Sequence, residues 1–351
     1  MLPPEEHELS LEIDGTNFRF WGEYELNLGI DSQSCVSFTA PFDPENAEHR
    51  QLFRPFTYQS CRILLAGKPL FTGYLLDKVP RREADKTVVA VTAYARTKVL
   101  DDCPLPPDSP HEFSGLTLLQ IAQKLCEPFG LTPKLGPGVT EGSKFGKVVL
   151  KPDEKVLKSL EELALQRGLI IGSDEDGDPI FRTSAPGVGV TVASLTEAQP
   201  VISVTGQFTP QDFYSSVTLV GTTKHGRKGS KYTEPNPFLT QVVRPFVALL
   251  DDTDAGDLHL ATQARIARML GNSASWDVEL ATWFTPDGDL WMPDMRLLLE
   301  APGAFVFRTT ELLVRSVRLK KDTEGTRTAT LNLILPGAFS SELPSELPWS
   351  E

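Results

Sequence analysis

From Leu9 to about Lys98, short apolar runs alternate with polar positions, and the segments LSLEIDG, FRFWGEYELNLGI, CVSFTA, YQSCRILLAG, KPLFTGYLLDKVP and KTVVAVTAYAR each predict a strand. All are rich in β-branched and aromatic residues and are bounded by Gly, Asp or Pro, which is the pattern of a barrel or sandwich. Asp14-Gly15 and Ala66-Gly67-Lys68-Pro69 read as hairpin turns, because Asp and Gly tolerate the positive φ that tight hairpins demand.

The period then changes. The proline-rich stretch DDCPLPPDSPHEFSG, residues 101–115, reads as a linker or boundary. Thr117, with Gln120 three residues on, opens a helix by a capping box, with Leu118, Leu119, Ala122, Leu125 and Cys126 as its apolar stripe and Pro128 and Gly130 as its stop. A second helix is expected from about Asp153 to Gly168, burying Val156, Leu157, Leu160, Leu163 and Ala164, and the segments LIIGS and PIFRTS after it predict a hairpin around Asp174–Asp178.

Strands resume from about Val188 with GVTV, PVISVTGQF and FYSSVTLVG, and again with WDVELATWF, DLWMPDMRLLLE, AFVFRTTELLVRSVRLKK and RTATLNLIL. Between the two groups lie a basic loop, TTKHGRKGSKYTEPNP, and a helix from about Asp257 to Leu270 ended by Gly271. The expected organisation is mainly β with an α+β insert: a first β-barrel-like domain over 1–100, a small α+β domain over 101–185, and a second β-barrel-like domain over 186–340 carrying a loop-helix insertion at about 222–272. Residues 341–351, with Ser-Glu-Leu-Pro twice, read as a flexible tail or as an arm that docks on a neighbour.

Composition narrows the function. The chain has 351 residues and a formal charge of -13, which argues against a nucleic-acid binder, because such a protein must neutralise phosphate with clustered Lys and Arg. An acidic surface suits a conduit past which DNA slides without sticking, although an acidic balance is equally ordinary in soluble proteins. No apolar run reaches the ~18 residues of a membrane span, and the acidic opening MLPPEEHELSLEIDG is unlike a signal peptide, so the expectation is a chain that stays in the cytosol where it is made. Cys35, Cys61, Cys103 and Cys126 show no paired spacing for zinc or redox chemistry and read as buried or partly buried thiols.

Candidate chemistry is sparse. The run Asp174, Asp176, Asp178 has the oxygen density of a calcium loop, but Gly177 is misplaced and the twelfth-position glutamate is missing, so a turn explains it better. Asp251, Asp252, Asp254 and Asp257 precede a helix, where carboxylates offset exposed amides. No two of the five histidines are spaced as helical metal ligands, and no nucleophile elbow, Walker loop or dinucleotide glycine pattern occurs. No catalytic residue, cofactor or metal is therefore assigned, although a dispersed carboxylate pair stays open among 47 acids.

Lys224, Arg227, Lys228 and Lys231, with His225, concentrate positive charge in one loop; it is either solvated or in contact with nucleic acid or an acidic partner, an acidic partner subunit being the preferred of the two contacts. Trp21, Trp276, Trp283 and Trp291 lie within strand patterns and are expected in the core, whereas Trp349, in the polar tail, is the better interface candidate.

The order of these features, SCVSFTAPFD, FRPFTYQSCRILLAGKPLFTGYLLDKVP, VTAYARTKVLDDCP, EFSGLTLLQIAQKLCEPFGL and LKPDEKVLKSLEELALQRGLIIGSDEDGDPIFRTSA, resembles the baseplate hub proteins of Mu-like contractile phage tails, well over about 9–185 and in outline beyond. The resemblance implies a virion structural protein with no enzymatic activity: a homotrimer in which two similar β-domains per chain make a pseudo-sixfold ring between tail tube and spike. It implies partners in the tail spike, tail tube and baseplate wedge proteins, with the tape-measure protein as a further candidate, and DNA passing without specific binding. Assembly would occur in the host bacterial cytoplasm, without membrane insertion. The competing readings are a carbohydrate- or receptor-binding tail module, which requires Trp283 and Trp291 to face solvent, and a tail-associated cell-wall hydrolase, which requires two convergent carboxylates.

Overall fold

In the computed structural model, the described residues run from 8 to 350, apart from 20, 184–189, 223–227, 251–254, 341–342 and 345. The first strands are β1 (Leu9–Ile13), β2 (Thr16–Phe18), β3 (Tyr24–Gly29) and β4 (Cys35–Pro41). After helix α1 (Ala47–Leu52) come β5 (Ser60–Leu65), β6 (Lys68–Arg82) and β7 (Thr87–Ala95). Both expected hairpins form, with φ of 49° and 76° at Asp14 and Gly15 and of 49° and 78° at Ala66 and Gly67. The long segment FRFWGEYELNLGI does not form one strand: it breaks between Phe18 and Tyr24 into β2 and β3. Helix α1 has no apolar stripe to announce it and is capped locally, the Asn46 side chain accepting from the amides of Glu48 at 2.8 Å and His49 at 3.4 Å.

The middle unit contains α2 (Lys98–Asp102), β8 (Glu112–Phe113), α3 (Leu118–Cys126), β9 (Lys134–Leu135), β10 (Val148–Val149), α4 (Val156–Leu165), β11 (Ile170–Ser173) and β12 (Pro179–Arg182). Thr117 and Gln120 close the capping box, Gln120 Oε1 accepting from the Thr117 amide at 3.0 Å and Thr117 Oγ1 from the Gln120 amide at 3.4 Å. Thr117→Ala should cost about 1 kcal/mol in urea unfolding; an unchanged midpoint would mean that α3 is held by its buried face alone. That face uses Ile121 in place of Leu119, which is half-exposed, and α4 likewise buries Ser159 and Leu165 while Leu157 stays at the rim. A core of its own, including Leu118, Leu125, Leu160 and Phe181, holds the unit together.

The remaining elements are β13 (Thr191–Thr196), β14 (Val201–Phe208), β15 (Ser216–Thr222), β16 (Lys228–Pro235), β17 (Pro245–Leu250), α5 (Ala255–Ser273), β18 (Ala274–Leu280), β19 (Arg296–Ala301), β20 (Val306–Lys321) and β21 (Arg327–Ile334). The expected loop-helix insertion is more ordered than its composition suggests. Residues from Lys228 pair antiparallel with β15, and β17, not foreseen, pairs parallel on its other side. Helix α5 covers this small sheet through Leu258, Ala261 and Ile266 against Val217 and Leu219. Gly271 does not end α5; it lets the helix approach Ala338, where a Cβ would collide.

Among the described residues, one 13-stranded sheet runs β14-β18-β21-β20-β3-β4-β7-β6-β5-β1-β2, with β19 on β20 and β13 on β19. It stays open instead of closing into separate barrels, because β20 pairs with β3 and so joins the two β-units edge to edge. One hydrophobic core runs through both, from Leu11 and Val36 to Trp276 and Leu333.

Of the stretch expected to be a flexible tail or a docking arm, the described residues 343–344 and 346–350 lie against their own chain. Leu347 is buried, the Phe307 amide donates to the Pro348 carbonyl at 3.2 Å, and Arg308 pairs with Glu346. The alternating Leu and Pro residues insert side chains without needing a helical or strand period, which is why no pattern revealed the docking.

Candidate functional site

The two β-units are built alike. Each has a four-strand layer, β3-β4-β7-β6 in the first and β14-β18-β21-β20 in the second. In each, the last strand is long, with 15 residues in β6 and 16 in β20. Its first half pairs with a smaller sheet, through β5 or β19, and its second half with the layer, through β7 or β21. The register shift falls in the same place, between Leu75 and Asp77 in β6 and between Val314 and Ser316 in β20, and six paired residues follow it in both strands.

The layers meet where β20 pairs antiparallel with β3, from Ser316 opposite Gly29 to Lys321 opposite Tyr24. Side chains reinforce the seam: Arg315 grips Asp31 with two bonds of 3.0 and 2.8 Å, and Arg318 donates to Asn27 at 3.2 Å and lies 3.3 Å from Glu25. On the core side, Trp283 is 1% exposed, sits 6.1 Å from the Tyr24 ring and donates its indole N–H to Thr328 O at 2.9 Å and to Lys320 O at 3.3 Å. Burial there pushes the Tyr24 hydroxyl well above the ordinary phenol range.

Strand alternation sorts the eight-strand layer into two faces. One is the core; the other is half-exposed and largely polar, with Ser37 bonded to Thr92 at 3.1 Å, and Asp277 accepting from Gln207 at 2.9 Å and from Asn332 at 2.7 Å. Acidic Glu25, Asp277 and Glu279 lie among basic Arg318 and Lys320, so neither sign dominates. A face of satisfied hydroxyls and amides with mixed charge offers few apolar or strongly attractive points to a polymer passing over it.

Among the described residues, two edges of the layer are unpaired: β14, which pairs with β18 alone, and the outer half of β6, beyond its contact with β5. Exposed aromatics flank both. Beside β6, Lys78 Nζ donates to the Arg54 carbonyl at 2.7 Å and to Thr57 at 2.9 Å, which places the loop bearing Phe56 (95% exposed) and Tyr58 against the free half. Beside β14, Phe208 is 5.7 Å from Phe305, which is 55% exposed and 6.2 Å from Phe307. Phe56, Tyr58 and Phe305 all have positive φ, at 61°, 39° and 63°, a conformation that costs bulky residues energy.

The residues singled out in the sequence are not brought together. Lys224 and Arg227 lie outside the described residues, as do His225, Asp251, Asp252 and Asp254; Lys228 opens β16, with its side chain outside them too. Lys231 stands exposed on β16 opposite Val220, on the uncovered face of the small sheet with Val247 and Leu249. Trp349 sits on another sheet, half-buried and 5.2 Å from Phe208 at the β14 edge. The Asp174 turn makes a clasp: Asp174 accepts from the amides of Asp176 and Asp178, Lys134 Nζ reaches Asp174 at 2.6 Å, and Asp178 accepts from the Thr132 amide at 3.1 Å with Arg96 at 3.4 Å. Burial drives the Cys61 and Cys126 thiols up to about 12. Sequence reasoning missed the edges of β6 and β14, because alternation marks a strand without telling which of its sides is paired.

Residues 97–183 match the family described as baseplate hub protein gp44-like, second domain. Over 336 residues the chain is 25% identical to the baseplate hub protein gp44 of Escherichia phage Mu, covering 91% of this chain and 86% of that protein. Among solved structures, the 43 kDa tail protein of prophage MuSo2 from Shewanella oneidensis superposes with a TM-score of 0.76 at 22% identity, over 95% of this chain and 99% of that one. The tail protein from Neisseria meningitidis MC58 does so with a TM-score of 0.77 at 16% identity, over 95% and 98%.

Proposed function

We propose that this chain, a baseplate hub protein of the Mu-like phage-tail kind by its second domain and its length-wide likeness, acts as a trimeric ring of pseudo-sixfold symmetry. In this reading each copy supplies two like β-units, residues 1–100 and 186–340, so three copies present six, matching a sixfold tail tube on one side and a threefold spike on the other. The ring surrounds the DNA passage, with the polar face of the layer turned to the lumen, and its role is structural, without catalysis. The tail tube, spike and baseplate wedge proteins are its partners, and it assembles in the host cytoplasm before joining the virion.

The observation that carries the reading is the β20·β3 seam, which already places two matching four-strand units side by side in one layer. The tail-module reading has lost its main support, since Trp283 and Trp291 are each 1% exposed and cannot stack on a sugar.

Light scattering on the purified chain, at several concentrations and two salt levels, should give three times the chain mass, with rings in electron micrographs. A monomer under every condition would overturn the proposal.

A further inference from the structure

The small sheet β16-β15-β17 stands apart from the main layer and has one covered face and one bare face. Strand alternation divides its side chains: Val217, Leu219 and Leu250 point to α5, while Thr218, Val220, Val247 and Leu249 point away from it. β17 pairs parallel with β15, and parallel strands ordinarily have both faces covered, because their crossover helices lie on the sheet. Here α5 covers one face alone. Val247 and Leu249 are 63% and 68% exposed, and Val242 and Val243 are exposed in the segment that enters β17. Among the described residues, no other eight consecutive positions expose as many large apolar side chains.

The strand registers lay the bare face out. Lys231, Val220 and Leu249 stand side by side across the three strands, and Thr233, Thr218 and Val247 form the next row. The face is thus aliphatic at β17, hydroxylic at the Thr218–Thr233 pair, bonded at 2.8 Å, and positive at Lys231. The one acid in these strands, Glu234, lies opposite Val217 and so on the α5 side.

We infer that this face is the docking site for one amphipathic helix of a second, different protein of the tail, with an aliphatic stripe over Val220, Val247 and Leu249 and a carboxylate toward Lys231. The inference rests on the hub reading in placing the chain inside a tail, and names a contact outside the ring layer. Size favours a helix: three strands about 4.8 Å apart span about 10 Å, the diameter of one helix. A strand added to the open edge of β17 would cover neither Val220 nor Lys231, which lie one and two strands further in. A second copy of the same face would bring another Lys231 and no carboxylate, leaving the charge unmatched.

The test uses tail particles assembled with the full chain carrying a benzophenone side chain in place of Leu249. Irradiation should join it to a segment of a different protein with aliphatic residues at three- and four-residue spacing and an acidic flank. Lys231→Glu should lower the adduct yield per incorporated chain severalfold and Lys231→Arg should keep it, with the urea midpoint of the free chain unchanged in both. An adduct with a second copy or with an extended segment, an adduct indifferent to Lys231→Glu, or none in particles that contain the chain would overturn the docking and leave the hub reading intact. A chain that never enters tail particles would overturn both.

Discussion

Trp283→Ala should lower the stability of the chain by about 3–5 kcal/mol, the range for deleting a fully buried indole. The indole fills the core side of the seam between the β-units, with Tyr24 of β3 on one side and Arg327 at 5.1 Å on the other. Its N–H also occupies the carbonyls of Thr328 and Lys320, which alanine would leave without that donor. Equilibrium urea unfolding measures the loss, and Trp283→Phe, which keeps a ring but not the donor, should fall between the two. A loss under about 1 kcal/mol would mean that the cavity collapses at little cost and that the seam does not depend on this side chain.

Gly172→Val should be the next most damaging change, at about 3 kcal/mol, the upper end of overpacking costs. Gly172 lies on β11 of the middle unit, and a Cβ there would run into the carbonyl of Ile30, whose own amide donates to Arg315 O at 3.0 Å. The obstacle is backbone held by the β20·β3 seam, so it cannot swing aside as a side chain could. The middle unit would have to move away from the first β-unit, and limited proteolysis should find the connection around residues 103–111 cut faster. Unchanged cleavage together with unchanged stability would show that the two units tolerate separation at this point.

The parts of the fold legible in the sequence are those decided by neighbours in the chain. The hairpins at Asp14-Gly15 and Ala66-Gly67, the Thr117 capping box and the amphipathic stripes of α3 and α4 depend on contacts a few residues long, so composition and spacing suffice to place them. The errors fall where distant contacts intervene. Gly271 reads as a helix stop in sequence but lies against Ala338, and the spacing of the tail left a flexible segment and a docking arm equally open, whereas Leu347 and Trp349 pack on the β14 and β20 surface. The basic stretch from Lys228 looked like a loop because its polar residues belong to a small, partly exposed sheet.

For the candidate site the division is sharper. Alternation alone establishes that residues 9–98 and 190–334 are largely strands with one apolar and one polar face, because side chains point to opposite sides of a strand at every step. The order in which strands pair, and hence which edges are left open, depends on backbone hydrogen bonds that are the same for every residue type. The pairing of Lys320 with Glu25 across 295 positions of chain, the matching corners of β6 and β20, and the free edges of β6 and β14 were therefore decided only by the tertiary structure.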